Sequence, residues 1–226
     1  MPTLYSNTND GSITTGNETS WDAARDKTSG TADTNNTEDT PIIFRSSGRG
    51  GTTYKIGRNF MYFDTSGITS TVSSATLKLY WRANTESYIV MKSTAFGGDG
   101  GTALANADFD NVTWGTAYSA EITNNGSAEY QDYTLNASAL ADMENDDVLI
   151  IAIVHHDHDY SDSAPGSDVN INSKHYMTNY TGTSRDPYID YTVVTGYGNT
   201  VTGIASANIG KVNGVATANI DKIIGV

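Results

Sequence analysis

The sequence predicts an all-β protein: an antiparallel β-sandwich of the jelly-roll kind, followed by a short C-terminal repeat tail. Three observations lead there. Short segments of period-two hydrophobic alternation recur along the chain. Helical periodicity is nearly absent, and the connections are rich in Gly, Ser, Thr and Asn. The chain has 226 residues, enough to bury a real core in one domain that carries an appendage. Residues 1–195 are assigned to the sandwich and 196–226 to the tail.

Residues 1–52 are polar and turn-rich, with only Leu4, Ile13, Trp21 and Pro41-Ile-Ile-Phe44 suited to burial, so short strands and long loops are expected. From Tyr54 the pattern sharpens. Tyr54, Ile56, Arg58, Phe60 and Tyr62 alternate with Lys55, Gly57 and Asn59, and the chain turns after Phe63. Ala75, Leu77, Leu79 and Trp81 share one face of the next strand, with Thr76, Lys78, Tyr80 and Arg82 on the other. Tyr88–Met91 gives another strand, and the Gly97–Gly101 loop follows it. Two further strands are expected at Asp108–Trp114 and Glu129–Leu135, and the only short helix at Ala137–Met143. Val148–Val154 is apolar at every position, the signature of a central strand covered on both sides. Pro187–Val194 closes the domain.

Past Gly196 an eleven-residue repeat appears. Val201-Thr-Gly-Ile-Ala-Ser-Ala-Asn-Ile-Gly-Lys211 is followed by Val212-Asn-Gly-Val-Ala-Thr-Ala-Asn-Ile-Asp-Lys222, and Ile223-Ile-Gly-Val226 begins a third copy. Val201, Ile204, Ile209, Val212, Val215, Ile220 and Ile223 mark the apolar positions. Stacked repeats need about three or more units to bury such positions. The tail is therefore expected to find its partner in other subunits or on a larger assembly. A flexible duplicated tail is the alternative.

Twenty-six acidic side chains against 13 basic ones leave a net charge of −13. That balance disfavours nucleic acid and an anionic membrane surface, both of which call for clustered Lys and Arg. There is no cysteine, hence no disulfide, thiolate metal site or thiol chemistry. The first residues have neither a basic nor an apolar stretch of the signal-peptide type, and the longest apolar run is too short to span a bilayer. A composition suited to the outside of cells, without a visible export address, fits a component of particles released by lysis, and non-Sec secretion fits it too.

Two groups of side chains are candidates for chemistry. In His155-His-Asp-His-Asp-Tyr-Ser-Asp162, His156 and His158 would share one face if the strand continued, with Asp157 and Asp159 on the other. The imidazoles suit zinc or nickel, and the carboxylates with Asp162 suit a structural calcium. A solvated loop at the end of a strand accounts for the same residues, and no cofactor is assigned. No nucleophile elbow or phosphate loop is present, and no acidic pair is singled out, so an enzyme is not expected. The second group is aromatic. Among 14 tyrosines, Tyr118, Tyr130, Tyr160, Tyr176 and Tyr180 lie in polar contexts, with Tyr160 and Tyr180 the glycan-stacking candidates. Core or interface packing is the alternative for each.

Several segments in order resemble DNRLRE-type domains, jelly rolls related to carbohydrate-binding modules. They are Arg58-Asn-Phe-Met-Tyr-Phe-Asp-Thr-Ser-Gly-Ile68, Val72-Ser-Ser-Ala-Thr-Leu-Lys-Leu-Tyr80, Val112-Thr-Trp114, Tyr133-Thr-Leu135, Ile171-Asn-Ser-Lys-His175 and Arg185-Asp-Pro-Tyr-Ile-Asp-Tyr191. Asp186 interrupts the Arg-Pro pair of that pattern. The resemblance spans roughly residues 5–194 and implies the fold, with Arg58 and Asp64 as a structural pair; it supplies no glycan-binding residue. The repeat is similar to tails of phage structural proteins. The expectation is a non-enzymatic structural protein on a bacteriophage virion exterior, as capsid decoration or tail-fibre component. Its partners would be other virion proteins or further copies of itself. A carbohydrate-binding adhesion module and a subunit of an extracellular filament are the alternatives.

Overall fold

The computed structural model describes residues 2–194, 211–212 and 215–216. In chain order the elements are β1 (Thr3–Tyr5), β2 (Gly11–Thr14), α1 (Trp21–Arg25), β3 (Thr31–Asp33), β4 (Glu38–Asp39), β5 (Ile43–Gly48), β6 (Gly51–Asp64) and β7 (Val72–Tyr80). They continue with β8 (Ser87–Ser93), β9 (Val112–Ala117), β10 (Ile122–Thr123), β11 (Tyr130–Thr134), α2 (Ala137–Asn145), β12 (Val148–His155), β13 (Val169–Ile171), β14 (His175–Tyr176) and β15 (Tyr188–Val193). β16 (Lys211–Val212) and β17 (Val215–Ala216) follow.

These strands form an all-β antiparallel sandwich. A four-stranded sheet, β1-β15-β7-β11, packs on a nine-stranded sheet whose main path is β10-β8-β12-β6-β2-β3. The fourteen-residue β6 organises the larger sheet. Along one edge it pairs first with β5 and then with β12; along the other it pairs with β2. β12 lies between β6 and β8, and its sequence has no polar face because a core covers each side. Leu149, Ile151 and Ile153 enter the core between the two sheets, while Ile150, Ala152 and Val154 enter a second core behind the larger sheet. β6 and β8 alternate in the same way, with Met61, Phe63, Tyr88 and Val90 on the first side and Phe60, Tyr62, Ile89 and Met91 on the second. Each such side chain, fully buried, contributes roughly 1.5–3 kcal/mol.

The first core is closed by the inward residues of the small sheet, Ala75, Leu77, Leu79 and Ile189. Helix α2 completes it: Asn136 caps the helix by accepting from the Ser138 and Ala139 amides, and Ala139 and Met143, one turn apart, are buried. The second core is closed by loops and by α1, a helix additional to the single one expected from sequence. Ser20 caps α1 through the Ala23 amide, and Trp21 and Ala24 face inward. The expected strand at Asp108–Trp114 is a short 3-10 turn over Asn106–Asp110, with β9 beginning at Val112. Asp108 organises that turn, its carboxylate accepting from the Ala105 amide and the Asn111 side chain.

A second correction concerns Arg58. It pairs with Asp159, not with Asp64. Six residues along one strand span about 20 Å, beyond side-chain reach. Asp64 is exposed and held below its ordinary pKa by the Ser66 hydroxyl and amide. Close approach also constrains β2: a Cβ on Gly11 would lie 2.3 Å from the Asp33 carbonyl oxygen, so only glycine fits beside β3 there.

In the tail, β16 and β17 form an antiparallel pair with Val212 opposite Val215. The other apolar repeat positions, Val201, Ile204, Ile209, Ile220 and Ile223, lie outside the described residues.

Candidate functional site

The sequence segment His155–Asp162 does not continue as a strand. β12 ends at His155, and residues His156–Tyr160 form a π-helical turn, with the Ser161 amide bonded to the His156 carbonyl at 3.0 Å and the Ser163 amide to the His158 carbonyl at 2.9 Å. The turn scatters the five expected ligands. Asp159 turns inward, fully buried, and takes the Arg58 guanidinium in two parallel bonds of 2.8 Å. Arg58 also donates to the Phe109 and Arg25 carbonyls, and its guanidinium carbon lies 4.0 Å from the Phe109 ring centre and 4.8 Å from that of Trp114. Asp159 is therefore a structural counter-ion, not a metal ligand. Asp162 accepts from the Trp21 indole and lies 3.3 Å from Arg25. The Nδ1 of His158 donates to the Ser163 carbonyl, and its ring stacks on His155.

His156 and Asp157 remain together, and the structure adds Glu121. Nδ1 of His156 lies 2.9 Å from Asp157 Oδ1 and 3.5 Å from Glu121 Oε2. The three offer one ligand atom each, all within 4.8 Å of one another. One imidazole nitrogen with two carboxylate oxygens suits a transition-metal ion such as zinc more than calcium, which takes oxygen shells. Glu121 lies just before β10, far away in sequence, so no local spacing announced it. Next to this cluster, burial pushes the His155 imidazole below its ordinary pKa against the opposing pull of Glu86.

The larger feature is on the other sheet. The outward face of the four-stranded sheet, with its bordering loop, carries a continuous strip of tyrosine rings. Tyr5 on β1 meets Tyr188 on β15 with centroids 5.8 Å apart, and Tyr188 meets Tyr130 on β11 at 5.1 Å. Tyr130 meets Tyr80 on β7 at 5.2 Å, Tyr80 meets Tyr176 on β14 at 5.4 Å, and Tyr176 meets Tyr180 at 4.8 Å. Neighbouring rings are tilted or edge-to-face, the arrangement their quadrupoles favour. The local cause is strand alternation. Leu79 and Ile189 point into the core, so Tyr80 and Tyr188 point out, and pairing of Tyr130 with Tyr80 joins the strands. Tyr5 is 48% exposed; the others are half-buried except Tyr176, which is buried beneath its neighbours.

Arg185 lies across one end of this strip. Its guanidinium carbon is 4.6 Å from the Tyr176 ring centre, 4.9 Å from Tyr80 and 5.2 Å from Tyr180. It donates to the Tyr176 hydroxyl. That hydroxyl bonds in turn to Glu38, which raises the Tyr176 pKa. Burial works to raise the Glu38 carboxyl, but its bonds from Arg82 and Tyr176 outweigh that and hold it below its ordinary value. Elsewhere on the face Lys78 pairs with Asp132 at 2.6 Å. Burial raises the pKa values of Tyr130 and Tyr188, so both stay neutral hydroxyls.

Of the two tyrosines singled out from sequence, Tyr180 belongs to the strip. Tyr160 does not: its ring stacks on His156 at 5.3 Å and packs against the second core. Tyr130 and Tyr176 are members, whereas Tyr118 is 1% exposed and bonds to Asp142. Tyr5, Tyr80, Tyr188 and Arg185 were missed, because strand pairing, not sequence spacing, gathers them. The strip presents flat apolar ring faces, with the Arg185 guanidinium as a hydrogen-bonding group at one end. Neither a protein-family model nor a curated protein matches this chain.

Proposed function

We propose that this protein is a non-enzymatic structural component of a bacteriophage virion exterior, as capsid decoration or tail-fibre component, whose sandwich displays a glycan-binding face. The observation that carries the reading is the tyrosine strip: six rings in unbroken contact, four on the outer face of the four-stranded sheet and two on the segment that borders it. Outward strand positions of a solvated sheet face are ordinarily polar. A contiguous aromatic strip on such a face marks a recognition surface. The second support is the eleven-residue repeat, whose apolar positions need a partner surface for burial. Division of labour follows: the sandwich faces outward and the repeats carry oligomerisation or attachment to the particle.

Density-gradient fractionation of particles from the source culture, with mass spectrometry of the particle band, tests the location. Recovery with a major capsid protein is expected, and the copy ratio separates decoration from a fibre. Recovery only among soluble proteins contradicts it. Deleting residues 199–226 is expected to abolish incorporation while the sandwich still folds; incorporation of the truncated chain contradicts the role of the repeats.

A further inference from the structure

Arg185 sets the kind of sugar. Resting on the glycan reading of the strip, we propose that the face selects oligosaccharides that bear an anionic group, a uronic- or sialic-acid carboxylate or a sulfate ester, with Arg185 taking that group while the flanking tyrosines stack on the sugar rings.

Three observations carry this. First, Arg185 is held in place but is not neutralised. A guanidinium has five N–H donors, and the described residues supply one acceptor for them, the Tyr176 hydroxyl. None of the described carboxylates lies within ion-pair distance of it, whereas Lys78 and Arg82 are engaged by Asp132 and Glu38. Second, three tyrosine rings fix its orientation, so the fork is set before a ligand arrives and little side-chain freedom is lost on binding. A planar fork with unused donors matches a planar carboxylate or a sulfate in two-point contact. Third, the net charge of −13 opposes general adsorption of polyanions. Recognition of an acidic sugar by this chain therefore needs a placed cation beside a stacking surface, and Arg185 is placed there.

The test is a titration of the full chain against matched oligosaccharide pairs: a uronate and its neutral parent, a sialylated and an asialo glycan, and a sulfated and an unsulfated chain. The acidic member of at least one pair is expected to bind about tenfold or more tighter, as one charge-assisted contact provides. Arg185→Gln is expected to abolish that preference, so that the acidic and neutral members of a pair bind alike. Arg185→Lys, which keeps the charge and loses the fork, is expected to lose most of it. Which pair responds separates carboxylate from sulfate. Equal binding of acidic and neutral members overturns the proposal and leaves the glycan reading standing. An acidic preference that survives Arg185→Gln overturns it too, with the melting temperature of the variant as the folding control. If no glycan binds wild type, both fall.

Discussion

Arg58 and Arg185 are each packed against aromatic rings, yet their surroundings differ. Arg58 lies in the second core at zero exposure, with both oxygens of Asp159 and two backbone carbonyls on its donors. Arg185 lies in the loop before β15, among Tyr80, Tyr176 and Tyr180, with one hydroxyl as its described acceptor. The aromatic contacts alone do not distinguish a structural arginine from a recognition arginine. The difference is in the remaining donors. Where four of the five are made, the charge holds the π-turn to β6; where they are left unmade, the charge is available to a ligand.

Breaking the closed arginine is expected to have the largest effect. Arg58→Met leaves Asp159 buried without its partner and should cost about 3–5 kcal/mol, read as a lowered urea midpoint. Adding Asp159→Leu to that variant should restore much of the loss, because the unpaired charge, more than the lost attraction, is the penalty. Full stability in the single variant would mean that the pair does not organise this core.

The open arginine's surroundings should respond in the opposite way, with little change in stability and a change in binding. Tyr5→Ala and Tyr180→Ala remove the two ends of the strip. Each is expected to weaken glycan binding by about five- to tenfold, the scale of one aromatic contact. Their urea midpoints should stay close to that of wild type. A large fall in stability with unchanged affinity would make the strip a packing feature.

A smaller effect is expected at the π-turn. Zinc at about ten times its Kd should stabilise the fold by about 1.4 kcal/mol, a shift that His156→Ala removes. The same shift in the variant would exclude the Glu121–His156–Asp157 cluster as the site. A pH effect is expected beside Arg185. Burial raises the Asp186 carboxyl to about 6, and its Oδ1 has no partner among the described residues. With the folded value above the ordinary 3.8, its contribution to stability is complete below that value and is lost as pH rises through about 6. Asp186→Asn should therefore melt slightly higher than wild type at pH 7.5 and equally at pH 4. Equal melting at both values would contradict a raised carboxyl.

The strands were legible where burial has a period. β12 was evident because both of its faces are covered, and β7 because only one is. Trp21 was recognised as a burial residue, but not its helix: α1 has one and a half turns, too few for a periodic signal, and only the Ser20 cap marks it. The strip was partly legible. Tyr80 was assigned to an outward face, and Tyr130, Tyr176 and Tyr180 to polar settings, but their assembly depends on which strands pair. Arg185 could not be told from Arg58 in sequence, because only the fold brings Asp159 beneath one of them. Glu121 joins His156 for the same reason, across the strands β8 and β12.

The most direct measurement is a glycan array probed with wild type beside the Tyr5→Ala/Tyr180→Ala double variant, both checked for native folding. Wild type is expected to retain a defined set of glycans, and the folded double variant to lose it. Identical retention by the two proteins, or no retention by wild type, would contradict the assignment of the tyrosine face as the binding surface.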